Sequence, residues 1–287
     1  MSLVSDFSGV VEQYARGNVG LKLGPTGKRK LLLIRIVRTE KRCQCQKTGR
    51  IFHGGSVDIL VELFDKQVKT IIERKFHIPT GLSESDFVNR HIMPLKQLLA
   101  KDINNNKIDE GHIPILIVLP NAIVPLSYQL ERIRENLNDI QLEHIIKPEW
   151  FENAKGVSTS DKPYLLLDVE TGYVMKNITP KKCVKTFRDE GRFALTVDEG
   201  IALIAHFPEV LQSHWVDLPG SVLIHKFVGE EVMKRGMLSS LPPAFAKATF
   251  VPTISYIYYN YLRLYYIYEV TETPYSGSAS CADRLSL

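Results

Sequence analysis

Asp168-Val169-Glu170-Thr171-Gly172 holds the residues best suited to chemistry: two carboxylates two positions apart, closing the apolar run at 164–167. On a β-strand, residues i and i+2 point to one face, so the two side chains are expected to lie side by side. A pair so placed can hold two divalent cations for in-line attack on a phosphodiester, the chemistry of a metal-dependent nuclease or phosphoesterase. Nucleases with an Asp-x-Glu strand usually continue Thr-Thr-Gly and draw further aspartates and a His or Tyr base from elsewhere. Here a single threonine precedes the glycine, and Asp217, His214 and Asp283 are available without a familiar context. The competing reading, which the pattern favours, is a buried strand whose polar end enters a turn through Thr171-Gly172.

A second set gathers toward the C-terminus. Arg192, Glu199 and His206 are expected to meet residues 278–284, where Arg192 and Arg284 could hold an anion between them and Glu199 stands at a helix N-terminus. The plainer alternative is that Glu199 caps its helix and the arginines bridge surface carboxylates. Ser278 and Ser280 lie near a small-residue turn, but no spacing ties them to His206 or His225 as a base. His206 is expected to cap the end of its helix, favoured by the dipole.

Other sets fail on spacing. Asp58 with Glu73-Arg74-Lys75 imitates an acid and E-x-K pair, yet Glu73 and Lys75 fall on a helical pattern and read as surface charge. Cys43, Cys45 and His53 supply three zinc-type ligands and no evident fourth, so free thiols are expected. The stretch 102–111 departs from a calcium loop, with Lys107 where glycine is needed and Ile113 where a bidentate glutamate belongs. There is no dinucleotide fingerprint, Walker loop or nucleophile elbow, and no metal or cofactor is expected.

These residues sit in a chain of 287, with 44% hydrophobic and 24% charged residues, ample for a full core and unlike a disordered chain. The N-terminus lacks the basic region and apolar stretch of a signal peptide. Residues 250–270 are interrupted by Arg263 and Glu269 and hold seven tyrosines, which reads as soluble β structure and not as a membrane span. The four cysteines, Cys43, Cys45, Cys183 and Cys281, are read as reduced thiols, with the cytoplasm as compartment and no membrane partner. Charge is uneven: residues 1–60 hold 11 Lys/Arg against 4 Asp/Glu, so +7, and the remainder holds 25 against 28, so −3. The basic stretch could touch phosphates or an acidic partner, although it carries no stacking aromatics and a solvated basic face accounts for it.

The elements that must position these groups follow from periodicity. Strands are expected at 31–37 and 57–61, with a polar connection between them. From Glu62 the apolar spacing turns helical, through Leu63, Val68, Ile71, Ile72 and Phe76. A helix capped by Ser83 with Asp86 follows, kinked or divided at Pro94. Residues 113–119 read as a strand covered on both faces, 125–138 as a helix and 164–169 as the strand leading to Asp168. Thr179-Pro180 starts one helix, Thr196-x-x-Glu199 opens another with a full capping box, and a hairpin is expected around Asn260.

Several phrases together resemble a family of small uncharacterised bacterial proteins, common in actinobacteria, that carry a domain of unknown function. They are FDKQVKTIIERKF, GLSESDFVNRHIMPLK, PYLLLDVETG, GRFALTVDEGIALIAHFPEVL and GSASCADRL, in order over about residues 62–287. In that family the position of Asp168 is typically aspartate and that of Glu170 varies, which the resemblance sets against a metal pair. Residues 220–275 depart from the pattern, with tyrosines in place of Trp- and Gly-containing strands and an extra segment near VGEEVMKRGMLSSLPPAFAKA. The expectation is an α/β or α+β fold: a mixed β-sheet with packed helices and a C-terminal β-hairpin, as one domain over 62–287 after a basic extension over 1–61. Its expected role is binding or interaction, with nuclease chemistry at Asp168 and Glu170, or nucleic-acid binding by the N-terminus, as alternatives.

Overall fold

A computed structural model describes residues 57–102, 112–136, 141–144, 147–224, 249–257 and 261–287. The chain divides into two units, 1–41 and 42–287, and every described residue belongs to the second. The expected strand at 31–37, the Cys43/Cys45/His53 set, His225, most of the 102–111 loop and the hairpin turn at 258–260 lie outside the described residues.

Helix α1 (Val57–Glu73) begins five residues before the expected helical boundary, so the strand expected at 57–61 is the first turn of a helix. The reason is the burial pattern. Leu60, Phe64, Gln67 and Ile71 recur at helical spacing on the buried side, and this outweighs the β-propensity of Ile59 and Val61. Gln67 is buried for a purpose: its Nε2 donates to the Ile115 carbonyl at 2.9 Å and its Oε1 accepts from the Ile117 N–H at 2.8 Å. One side chain thereby satisfies an edge of strand β1 (Ile113–Val118), closing it to further pairing.

Gly81, at φ 71°, ends the short turn at Ile78–Thr80. Helix α2 (Glu84–Phe87) is capped by Ser83, whose hydroxyl accepts from the Asp86 N–H at 3.1 Å. A π-turn at Val88–Ile92 then leads into α3 (Met93–Asp102). The helix is divided here because Pro94 has no N–H to continue the α ladder, and the wider turn absorbs the missing bond. Helix α4 (Leu126–Asn136) precedes the strands β2 (Gln141–His144), β3 (Phe151–Asn153) and β4 (Tyr164–Val169).

Helix α5 (Pro180–Asp189) starts at Thr179, whose hydroxyl accepts from the Lys182 N–H. After β5 (Phe193–Ala194), α6 (Val197–His206) opens with the complete Thr196/Glu199 capping box. The strands β6 (Trp215–Asp217), β7 (Ser221–Leu223), β8 (Phe250–Ile257) and β9 (Tyr261–Tyr268) follow. The chain closes through β10 (Ser276–Ser278), β11 (Ser280–Cys281) and β12 (Asp283–Ser286).

Two sheets organise these elements. In the first, β4 lies between β1 and β12 and is antiparallel to both; all six of its residues are buried. The second has the order β10-β6-β8-β9-β2, with the pairs β10–β6 and β2–β9 parallel and the rest antiparallel. The fold is therefore α+β with mixed pairing, and β8 and β9 form the C-terminal hairpin expected from the tyrosine-rich stretch. One continuous core joins α1, α6, β1 and β4 to Val216, Ile254, Leu262 and Leu264 of the second sheet.

Candidate functional site

Asp168 and Glu170 are both buried, at 3% and 6% exposure, and each is occupied by different partners. Asp168 takes φ 51°, a left-handed conformation within a strand paired on both sides. Aspartate tolerates that conformation better than most residues, and it persists where surrounding contacts over-determine it. Arg192 supplies them: Nη1 donates to Asp168 Oδ2 at 2.5 Å, Nη2 to the Asp168 carbonyl at 2.6 Å, and Nε to Ser280 Oγ at 2.9 Å. The other carboxylate oxygen meets His112 Nδ1 at 2.9 Å. Both ends of Asp168, main chain and side chain, are thus clamped by one guanidinium.

Glu170 continues the strand through a bridge to Ser280, and its carboxyl accepts from the Gly172 and Val174 backbone N–H groups. Burial raises its pKa, opposed by those amides and by the charges of His112 and Arg192. Its Oε2 is buried without a hydrogen bond. The turn beyond it requires glycine: Gly172 has φ 99°, and a Cβ there would lie 2.3 Å from the Gly277 carbonyl oxygen. Among the described residues, no group of three or more His, Cys, Asp or Glu side chains could hold a metal ion.

The second predicted set is brought together only in part. Glu199, fully buried, caps α6 by accepting from the Thr196 N–H at 2.7 Å and forms a two-point ion pair with Arg284 at 2.5 and 2.9 Å. The Tyr164 hydroxyl adds a donor at 3.1 Å. Arg284 also reaches the Ala194 carbonyl and lies over the Phe193 ring, so it ties β12 to β5 and α6. Arg192 and Arg284 therefore face carboxylates that are buried, where surface partners were the plain expectation. Ser280 joins Arg192, and Ser278, on the neighbouring strand β10, lies beside Cys183.

His206 is away from this set, against the Ile117 backbone and within the field of Arg74. Burial holds its pKa down, to about 3, so it ends α6 as a neutral ring; desolvation outweighs the dipole that would favour a charge there. Arg74, expected as surface charge, is buried and donates to the Ile133 carbonyl.

A third region arises from the second sheet. Ser278, Asp217, Thr253 and Tyr265 stand opposite one another across β10, β6, β8 and β9, and so project from one face. Ser276, Trp215, Ser255 and Arg263, two residues along each strand, share that face. The intervening Val216, Ile254 and Leu264 form the opposite, core-packed face. The polar face is nonetheless buried, with Asp217, Thr253, Ser255, Ser276 and Ser278 all at 3% exposure or less. Asp217 accepts from Thr253 Oγ1 at 2.8 Å and from Ser276, and burial pushes its pKa up to about 6. Tyr265 Oη faces Ser255 and Ser278 Oγ faces the Cys183 thiol, contacts looser than full hydrogen bonds.

Sequence reasoning passed over His112 and this face. The signal for the face is the alternation Trp-Val-Asp, Thr-Ile-Ser, Arg-Leu-Tyr and Ser-Gly-Ser, polar or aromatic at i and i+2 in four separate strands. Nothing local marks His112.

The class defined by this fold is a mixed α+β domain whose buried arginine–carboxylate pairs lock its last strand. A model described as a family of unknown function (DUF5701) matches residues 70–221, more than half of the chain, and the chain belongs to that family. No curated protein and no solved structure matches it. Asp168, Glu170, Arg192, Glu199 and Asp217 lie within the matched region, while Ser280, Arg284 and the strands β8 and β9 lie beyond it.

Proposed function

We propose that this chain is a ligand-binding domain and not a metal-dependent nuclease or phosphoesterase. The observation that carries this reading is a contrast between its buried carboxylates. Asp168 and Glu170, the pair that would hold metal, are taken up by Arg192, His112 and backbone amides. The carboxylate of Asp217, on a polar face bordered by the partly exposed Trp215 and Tyr265 rings, meets only hydroxyls. The test has two arms. Incubation of the full chain with Mg²⁺ or Mn²⁺ and single- or double-stranded DNA or RNA is expected to give no cleavage. Cleavage abolished by Asp168→Asn would overturn the reading. Thermal melts against a panel of small polar molecules are expected to find compounds that raise the melting temperature, as ligands of the native state do.

Two free, buried thiols, Cys183 and Cys281, support a reducing, cytoplasmic location, and the resemblance supports a bacterial source. Fractionation of the host cell checks the first point. The +7 charge of residues 1–60 favours a second reading, in which the N-terminal stretch holds a nucleic acid or another acidic partner. Binding that does not weaken with added salt would sink it. Among the described residues, no helix is long and apolar enough to cross a membrane.

A further inference from the structure

We propose that a cleft beside the π-turn binds a small organic monocarboxylate, with Arg90 as its counter-ion and His91 as a second donor. This site shares no residue with the Asp217 face and goes beyond the role proposed for that face.

The cleft has room for a ligand. Its volume is about 340 Å³, at the lower end of the roughly 300–1,000 Å³ typical of small-molecule sites. It opens to solvent among the turn at Ile78–Thr80, the π-turn at Val88–Ile92 and the loop joining β1 to α4. Its walls are fixed before any ligand arrives. Phe87 and Ile92, both fully buried, anchor the π-turn at its two ends. In the loop that carries Ala122 and Ile123, the buried Gln129 Nε2 donates to the Leu119 and Val124 carbonyls, both at 2.8 Å. The Leu126 N–H closes that loop on Asn121 Oδ1 at 3.0 Å. The Thr80 hydroxyl is spent on the His77 carbonyl at 2.6 Å, which holds the remaining wall. A pre-formed site spares the ligand the cost of ordering it.

The lining selects the kind of ligand. Pro79, Leu82, Ala122 and Ile123 supply apolar surface, and no Asp or Glu lines the cleft. Arg192 and Arg284 are filled by Asp168 and Glu199, whereas among the described residues Arg90 makes no ion pair or hydrogen bond. An exposed arginine in that state is ordinary by itself; Arg90 differs in lining a cleft beside a second donor. Successive residues of a helix point about 100° apart, so a cleft touched by both Arg90 and His91 is bordered by donors from two directions. π-turns are frequent at functional sites. Burial and the charge of Arg90 lower the His91 pKa, so the ring is neutral at physiological pH and the lining carries a single positive charge. That charge matches a monoanion and not a phosphate dianion. The planar guanidinium fits a carboxylate at two points, and the neutral imidazole offers it one further N–H. The apolar wall then takes an alkyl chain, to which an inorganic anion has no counterpart.

Sodium hexanoate is titrated into the full chain at constant ionic strength, and the heat of binding is measured by calorimetry. Saturable binding is expected, at least tenfold tighter than that of 1-hexanol or acetate, with none for hexylammonium. Arg90→Gln is expected to weaken hexanoate binding at least tenfold with an unchanged melting temperature, because Arg90 is exposed and bonds to nothing else in the fold. Arg90→Lys, which keeps the charge and loses the fork, should fall between the two. Ala122→Trp, at an exposed position of the lining, should block binding by filling the cleft. Asp217→Asn should bind hexanoate as the parent protein does. Equal binding of hexanol and hexanoate, undiminished binding to Arg90→Gln, or tighter binding of inorganic phosphate overturns the carboxylate assignment. Hexanoate binding kept in Arg90→Gln and lost in Asp217→Asn overturns it in favour of the Asp217 face. If no probe binds, the cleft assignment fails, while the reading of the Asp217 face stands or falls by the melting panel.

Discussion

At the scale of the residue, Asp217 and Asp168 show how one chemical group, buried in both cases, takes different partners. Asp168 has a guanidinium and an imidazole against its oxygens; Asp217 has only hydroxyls. Burial therefore raises the Asp217 pKa from 3.8 to about 6, and the folded state binds its proton more tightly than the unfolded chain. Its contribution to stability is fully present below the unfolded value and is lost as pH rises through the folded one. That loss is worth about 3 kcal/mol, from about 1.36 kcal/mol per pH unit. Asp217→Asn should consequently match the parent protein in urea denaturation near about pH 4 and exceed it near about pH 8. An asparagine variant less stable at both values would mean that the carboxylate is held ionised. His206, held down to about 3, has the opposite sign, with stability lost as pH falls below the ordinary range. It is present in both proteins and cancels in the comparison. Among the described residues, Tyr265 and Arg263 across the sheet, with Glu170 and Cys183 beyond Ser278, are other ionisable groups near this carboxylate.

At the scale of the element, the first turn of α6 combines two interactions that differ in worth. The Thr196 hydroxyl satisfies one amide at the helix start, and its loss in Thr196→Ala should cost about 1 kcal/mol. Glu199→Gln keeps an acceptor for the Thr196 N–H but removes the charge facing Arg284, leaving that guanidinium buried and unpaired. A cost of about 3–5 kcal/mol is expected. Replacing both members, Glu199→Gln with Arg284→Met, should recover part of the loss in a double-mutant cycle of denaturation midpoints. If Glu199→Gln cost no more than Thr196→Ala, the ion pair would not be what fastens β12. Much at this scale was legible beforehand. Thr179-Pro180, Thr196-x-x-Glu199, the apolar 113–118 run and Pro94 act within a turn or a strand, so their consequences lie near them in sequence. The start of α1 was not legible, because residues 57–61 have strand propensity and turn helical only where Leu60 and Phe64 enter a shared core.

At the scale of the whole molecule, charge is divided by position, with the basic excess confined to residues 1–60. Affinity for a short DNA or RNA duplex should fall steeply as potassium chloride is raised, in proportion to the phosphates neutralised. Substituting Lys28, Arg29, Lys30, Lys41 and Arg42 with serine in the full chain should reduce both the affinity and the salt slope. Equal binding by the substituted protein would remove the N-terminal stretch from that role.

The sequence by itself determined where the capped helices α2, α5 and α6 start, that 113–118 and 164–169 become buried strands and that Thr171-Gly172 turns the chain after Glu170, because caps, glycines and periodicity act over a few residues. Tertiary structure decided the partners of each candidate group. Asp168 meets an arginine 24 residues away, Glu199 one 85 residues away, and Asp217 meets a threonine 36 residues on. Whether a carboxylate binds metal, holds an arginine or keeps its proton depends on its desolvation and on the charge opposite. Both are set by which strands lie side by side, and no local pattern encodes that.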